Sequence, residues 1–443
     1  LSGSYHSDDY GQPGAISEAQ LDADRKAARF PFDDAEIVDQ YLKLGVELDL
    51  ERSGRIVTDF SWRERESESQ FVDYASAEER ETETWAIAPR YTWTGELFSR
   101  SNTLIAGVDL YRSEQDLDTF FGTPLMPSGL GKVERDSRGF YVTDEFSLLE
   151  NLIVSVGARH ERVSYDIRQQ DLIGFPPFVP PLAPLDDTVT EKENAYSVGL
   201  TLLYGEGSST FFRVNRSLRF PLVDELIVFD YIAGEIRANT DLKPQTGNHY
   251  EVGVRHYVTP DIQARVTLFR AEIEDEIFLN RFPSFSNENH PETLHQGLEI
   301  GSKAKLFKKL TLFGNYTYTK ATFEKDPFKD NDIPAVPRHK ANLGLRIHDL
   351  VPGLIFSADY NYVGSSYAIS DQANAFEKLE KYYTIDARLS YAWKSVKAFV
   401  GVNNLTDQEY SETAVLSGIF APGEPYFYPA PERNWVGGLK VVF

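Results

Sequence analysis

The side chains in this 443-residue sequence that could do chemistry are its histidines, its clustered carboxylates and its loop aromatics. There is no cysteine, which removes thiolate metal sites, cysteine nucleophiles and disulfide frameworks together. The eight histidines stand at 6, 160, 249, 256, 290, 295, 339 and 348, and their spacing supports no Ser-His-Asp arrangement. Eight acids between 7 and 37 (Asp8, Asp9, Glu18, Asp22, Asp24, Asp33, Asp34, Glu36) offer oxygen ligands to a hard cation such as calcium. Glu324, Asp326, Asp330 and Asp332 offer the same. Neither group has EF-hand spacing, so both read as solvated acidic surface and no metal is assigned. Aromatics gather in three stretches: Phe120 and Phe121 near Met126, Phe175 and Phe178 in a proline-rich run, and Phe420, Tyr426, Phe427 and Tyr428. Prolines beside the last two groups lower the entropy lost when rings are presented to a ligand, and with Phe120 and Phe121 added there are eight candidate ligand contacts. The plainer reading is that they pack on one another and order long loops. Nothing here suggests bond-making chemistry, so the chain is read as a non-enzyme.

The elements that carry these residues are β-strands. With 41% hydrophobic and 13% aromatic residues, 24 Tyr, 29 Phe and one Met, the composition fits neither disorder nor an Ala/Leu/Lys helical protein. No stretch approaches 18 consecutive apolar residues, so membrane-spanning helices are excluded. A net charge of -23 repels a phosphate backbone, which excludes nucleic acid. Period-two alternation runs through the C-terminal segments: Trp435, Gly437, Leu439, Val441 and Phe443 oppose Asn434, Gly438 and Lys440. Ile385, Ala387, Leu389, Tyr391 and Trp393 likewise oppose Thr384, Asp386, Arg388 and Ser390. Eighteen such strands can be traced, from 1–6 to 434–443. Short turns alternate with long polar loops at 7–37, 69–81, 116–133, 168–190, 219–244, 276–292, 323–338, 367–381 and 406–433. Short turns on one rim and long loops on the other are the outer-membrane barrel arrangement, with the short turns in the periplasm. A soluble sandwich does not explain nine such alternations or the polar second face.

The family resemblance rests on motifs in a fixed order. Ser217-Leu218-Arg219-Phe220-Pro221 leads to Asp224-Glu225-Leu226, followed by Asp241-Leu242-Lys243-Pro244-Gln245 and Tyr250-Glu251-Val252-Gly253-Val254-Arg255. Then come Gln296-Gly297-Leu298-Glu299, Ile333 to Lys340, Asn403 to Tyr410, and Pro431-Glu432-Arg433-Asn434 before the terminal Phe443. Together they resemble the C-terminal part of a TonB-dependent outer-membrane receptor over essentially the whole chain. Gln245 stands where the family usually has Glu, and the arginine–proline box reads Arg219-Phe220-Pro221.

What the resemblance implies is a transmembrane antiparallel barrel of about 22 strands around a plug. The 18 strands here correspond to strands 5–22 of that barrel, in one domain over 1–443 whose plug, first hairpins, TonB box and signal peptide are absent. A start in mid-strand at Leu1 agrees with a mature or truncated piece. The implied function is active import of a scarce nutrient chelate, a ferric siderophore or cobalamin-like ligand. The implied partners are the TonB-ExbB-ExbD complex through the missing segment, outer-membrane lipid and lipopolysaccharide, the barrel-assembly machinery at Phe443, and the chelate itself, with a monomeric barrel. Aromatic loops suit stacking on catecholate or corrin-like ligands. Arg159, Glu251, Arg255, Arg346, Asp386 and Arg388 are expected to face the plug, since lumen charges need partners. Tyr316, Tyr318, Tyr391, Trp393 and Trp435 are expected to face outward in aromatic girdles. Haem-uptake members pair the arginine–proline box with a nearby loop histidine, and none lies in 219–244. His290 is the one histidine placed for that role and is expected to be an exposed polar loop residue, so no cofactor is assigned. The alternatives are a passive porin-like channel and a surface-binding barrel that recognises a protein partner.

Overall fold

The computed structural model describes residues 1–173, 181, 183–230, 235–280, 286–417 and 424–441. The first strands are β1 Ser2–Gly11, β2 Ile16–Ser17, β3 Asp34–Asp49, β4 Arg55–Phe71, β5 Ser76–Leu97, β6 Arg100–Phe121, β7 Met126–Leu149 and β8 Leu152–Asp171. Next are β9 Leu185–Tyr204, β10 Ser208–Arg219, β11 Ile227–Asp230, β12 Glu235–Ala238, β13 Gln245–Thr259, β14 Ile262–Asn280, β15 Ser286–Leu306 and β16 Leu310–Phe323. The last are β17 His339–Ile347, β18 Leu354–Val363, β19 Tyr382–Trp393, β20 Val396–Asn403, β21 Ser411–Ser417, β22 Glu424–Pro429 and β23 Asn434–Val441. Two short helices, α1 Glu18–Ala23 and α2 Val223–Leu226, complete the elements.

Eighteen of these strands form one antiparallel sheet, the number read from the alternation. Its register runs as a meander in which each large strand pairs with its sequence neighbours, for example Arg138 opposite Arg162 and Asp359 opposite Asp386. Among the described residues the register of β1 is with β3 and that of β23 with β20. The inward face is fixed by Val163, Tyr165 and Ile167 of β8, which pack against the segment after β10 inside the barrel. Following the register from there places every side chain inward or outward. Several inward phenylalanines lie over a glycine directly opposite: Phe269 covers Gly297 and Phe399 covers Gly438. A Cβ at Gly438 would come within 2.5 Å of the Phe399 ring, so glycine there lets the ring lie flat on the wall.

Several expected loops are strand. β6 and β7 continue through most of 116–133, leaving only 122–125 as a turn, and the segment 69–81 is strand except for 72–75. About ten residues suffice to span the hydrocarbon layer, whereas β6 has 22 residues and β7 has 24. The surplus stands above the membrane with a polar outward face and only Leu117 and Val133 apolar near the middle of the inward one, which is why alternation of hydrophobicity does not reveal it. Two further long loops acquire structure. The segment 406–433 forms the β21–β22 hairpin, which β2 joins to make a three-stranded sheet. The segment 219–244 turns into the barrel as α2 and the β11–β12 hairpin.

Candidate functional site

The inturned segment is held by an apolar core. Phe220, Val223, Leu226, Ile227, Phe229, Ile236 and Leu242 pack on Leu117 of β6, Val133 of β7 and the β8 trio. Polar contacts fix its path: Tyr165 donates to the Pro221 carbonyl at 2.8 Å, and the Gln169 side chain donates to the Ile236 carbonyl at 2.9 Å. Burial pushes the Tyr165 hydroxyl up to about 12, so it stays a donor at any physiological pH. The Arg219 guanidinium of the arginine–proline box pairs with Glu225, whose carboxylate also accepts from the Leu222 amide at 2.9 Å. The box thus shapes the entry of the segment into the lumen.

Between this segment and strands β3 to β7 lies a lumen cavity of about 500 Å³. Its wall carries Arg63 and Arg65 from β4, Arg80 from β5, Arg135 and, from β6, Gln115. Asp224 and Val223 of α2 close one side. Arg63 is paired with Asp39, and Arg80 with Glu78 at 3.3 Å. Arg65 makes no hydrogen bond or ion pair among the described residues, although Asp39 lies near enough to feel its charge. Arg135 bonds to Tyr165 yet leaves its buried Nε without an acceptor. Gln115 is 2% exposed, and while its Oε1 accepts from Thr82 at 3.5 Å, its Nε2 has no partner. A buried unsatisfied donor costs roughly 1–3 kcal/mol. The open Arg65 guanidinium on this wall, beside the buried Arg135 and Gln115, makes the cavity fit for an anionic, oxygen-rich ligand.

The six charges expected to face a plug all lie on the inward face by register. Arg159 bridges Asp109 at 2.6 Å and Glu161 at 2.8 Å, with Ser137 donating to Glu161 at 2.7 Å. Arg346 lies over the Phe313 ring and Arg388 over Phe399 at 3.6 Å. Asp386 accepts from the Asn404 amide at 2.9 Å and from Asn361 at 3.2 Å. Glu251 stands opposite Arg213, and Arg255 opposite Ser209 and Arg265. These partners come from the barrel wall itself. Tyr316, Tyr318, Tyr391, Trp393 and Trp435 project outward by the same register.

The aromatic candidates do not converge. Phe120 and Phe121 are half-buried strand residues at the end of β6, facing Pro127 and Met126 across the turn, and as neighbours they point to opposite faces. Tyr426 is buried in the small sheet against Ala15 and Val415, with Arg29 4.3 Å above its ring. Phe427 packs on Ala368, Leu379 and Ala414, and Tyr428 is exposed. Phe175, Phe178, Phe420 and Phe443 lie outside the described residues. His290 corrects its expectation of exposure: it is 9% exposed, stacked on Phe278 at 3.6 Å, and burial lowers it to about 4. Glu324, Asp326, Asp330 and Asp332 do not gather as ligands, because Asp332 is held by Arg338 and Lys378. Those two cations outweigh burial and lower its carboxyl. No group of three or more potential metal-ligating side chains occurs among the described residues.

The arginine cavity was missed in the sequence because its members come from four strands. A signal was present: in Arg63-Glu64-Arg65-Glu66-Ser67-Glu68-Ser69 one face is basic and hydroxylic and the other wholly acidic.

Residues 2–405 match the family model of the TonB-dependent receptor-like β-barrel. The chain is 26% identical over 344 residues to the ferrichrome outer membrane transporter/phage receptor of Escherichia coli, covering 70% of this chain and 42% of that protein. It is also 26% identical over 348 residues to the vitamin B12 transporter BtuB of Vibrio vulnificus, covering 77% of this chain and 47% of that protein. The chain therefore spans about half the length of these curated relatives. The crystal structure of the ferric yersiniabactin uptake receptor FyuA from Yersinia pestis superposes with a TM-score of 0.81 at 16% identity, covering 100% of this chain and 67% of that one. With the sheet, its inturned segment and the motif order in agreement, the chain belongs to the TonB-dependent receptor β-barrel family, outer-membrane barrels that are not enzymes.

Proposed function

We propose that this barrel imports a ferric siderophore bearing several anionic oxygens, energised through TonB. The observation that carries the reading is the lumen cavity, whose wall holds the unpaired Arg65 guanidinium with Arg135 and Gln115 beside the inturned segment. A cobalamin-like ligand has no comparable need for guanidinium groups. The relatives, a ferrichrome transporter and a vitamin B12 transporter, support the nutrient-chelate class. The partial coverage of relatives supports the expectation of further strands and a plug. The outward Tyr391, Trp393 and Trp435 are read as girdle anchors, and the inward Arg159, Glu251, Arg255, Arg346, Asp386 and Arg388 as the wall against which a plug seats.

The test is calorimetric titration of the full receptor with a panel of ferric siderophores graded in charge. Arg65→Gln with Arg135→Gln should weaken carboxylate or catecholate chelates by about ten- to hundredfold, the worth of one or two charge-assisted hydrogen bonds. A neutral hydroxamate chelate that binds most tightly, with no effect of the pair of substitutions, would exclude the anionic reading.

A further inference from the structure

β9 runs from Leu185 at the extracellular end to Tyr204 at the periplasmic turn, and its two edges are used unequally. Towards β8 it pairs along almost its whole length, from Gln169 opposite Leu185 to Leu152 opposite Leu202. Towards β10 the pairing stops at Arg216 opposite Tyr196, because β10 ends at Arg219, where the chain turns into the lumen. Above Tyr196, the stretch 185–195 pairs with no strand on that side among the described residues. About ten residues of tilted strand cross the hydrocarbon layer. The lower half of β9 therefore spans it, and this free edge stands above it in water.

Successive residues of a strand send their N–H and C=O groups to alternate edges. The Asn194 carbonyl accepts from the Arg216 guanidinium, which puts the even-numbered residues on the β10 side. Asp186, Thr188, Thr190 and Lys192 therefore offer their backbone groups to the free edge. The Thr188 amide is taken by the Asp187 carboxylate at 2.9 Å. The amides and carbonyls of Thr190 and Lys192 have no partner among the described residues. Exposed edges are ordinarily blunted by proline, a bulge, lysines or a covering segment. The stretch 185–195 contains neither proline nor glycine, and its register with β8 carries no bulge. Its one lysine, Lys192, stands towards the lower end. Behind the edge, Leu185 and Val189 point inward onto the core of the inturned segment, which gives the slot an apolar back wall. Asp187 and Glu191 flank Val189 on the same face. Neither pairs with a cation among the described residues, whereas Asp186 lies 3.8 Å from Arg168 and Glu193 lies 2.9 Å from Arg216.

We infer that the upper edge of β9 is a binding site for an extended cationic peptide, which adds to the wall as an antiparallel strand in the place that β10 leaves. Main-chain hydrogen bonds give such pairing its affinity, and alternate side chains give it specificity. Inward residues of the bound strand oppose Asp187, Val189 and Glu191, which calls for arginine, an aliphatic residue and arginine in turn. Outward ones oppose Thr188 and Thr190, where threonine fits. A second copy of this chain is a poor occupant, since its own β9 would bring the same carboxylates to the edge. The inference does not depend on which chelate the lumen accepts.

The test is fluorescence anisotropy of a labelled peptide, Thr-Arg-Thr-Val-Thr-Arg-Thr, titrated with the full receptor in mild detergent. In the expected register its threonines turn their backbone groups towards β9, and its arginines and valine turn theirs away. Saturable binding should survive N-methylation of the arginine and valine amides and be abolished by N-methylation of the threonine amides. Thr190→Pro should weaken binding about tenfold through the lost hydrogen bond. A proline whose missing N–H faces a free edge is tolerated in a sheet, so this variant should still fold. Asp187→Asn with Glu191→Gln should weaken binding about fivefold and flatten its dependence on salt. Absence of saturable binding, or the same response to both methylation patterns, would overturn the site. So would wild-type affinity in Thr190→Pro, with heat-modifiable migration showing the variant folded. Should Thr190→Pro not fold, the two methylated peptides on wild type carry the same comparison.

Discussion

Arg65 extends from β4 into the lumen with no carboxylate of its own, while Arg63, two residues earlier on the same face, is held by Asp39. That difference decides which guanidinium can serve a ligand, and no spacing in the sequence distinguishes the two. The same holds for Gln115, an unremarked residue in a strand until the structure shows its amide buried and half satisfied. His290 illustrates the converse, since a polar neighbourhood of Asn and Glu suggested exposure, while Phe278, Phe323 and Phe328 arrive from distant segments to bury it. Its lowered value of about 4 carries a signed prediction. The unfolded chain binds the proton more readily than the folded one, so stability is full above the ordinary value of about 6.5 and falls as pH drops towards 4. The loss is roughly 2–3 kcal/mol for the local hairpin. Protection of the 286–295 amides, relative to their intrinsic exchange, should fall below pH 6, and His290→Phe should remove the fall.

At the scale of elements, the sheet was readable because lipid and lumen impose a period of two, but only where lipid imposes it. Above the membrane the outward face meets water, alternation of hydrophobicity fades, and the ends of β6 and β7 read as loop. The inturned segment left a trace in Leu226-Ile227-Val228-Phe229, an apolar run too short to separate from strand or helix on its own. Ile227 is fully buried in that core, and Ile227→Ala should cost about 2–5 kcal/mol and release the segment from the wall. Limited proteolysis should then cut between 220 and 242 in the variant and not in wild type. A second test concerns the flat phenylalanines: a Cβ at Gly297 would fall 1.9 Å from the Tyr318 carbonyl and 2.7 Å from the Phe269 ring. Gly297→Val should therefore block insertion of the barrel, read as loss of the heat-modifiable folded band.

Across the whole molecule, charge is sorted by face. Glu64 opposite Glu83, Glu66 opposite Glu81 and Glu68 opposite Glu79 lie outward above the membrane, while Arg63, Arg65 and Arg80 of the same strands lie inward. The net charge of -23 thus conceals a basic lumen wall, and composition alone pointed away from anions. Burial and then the surrounding acids raise the Glu81 carboxyl, so the repulsion eases with added salt or falling pH. Hydrogen exchange at the outer ends of β4 and β5 should slow as ionic strength rises. The family and its membrane topology were legible in motif order and loop alternation, and the ligand class was not, because it depends on which inward charges remain unpaired after folding. The most direct test of that account is saturation binding of a multiply anionic ferric siderophore to outer membranes containing the receptor. The account predicts tight, saturable binding that Arg65→Gln with Arg135→Gln weakens at least tenfold. Non-saturable uptake proportional to concentration, unchanged by those substitutions, would contradict it and leave a passive channel.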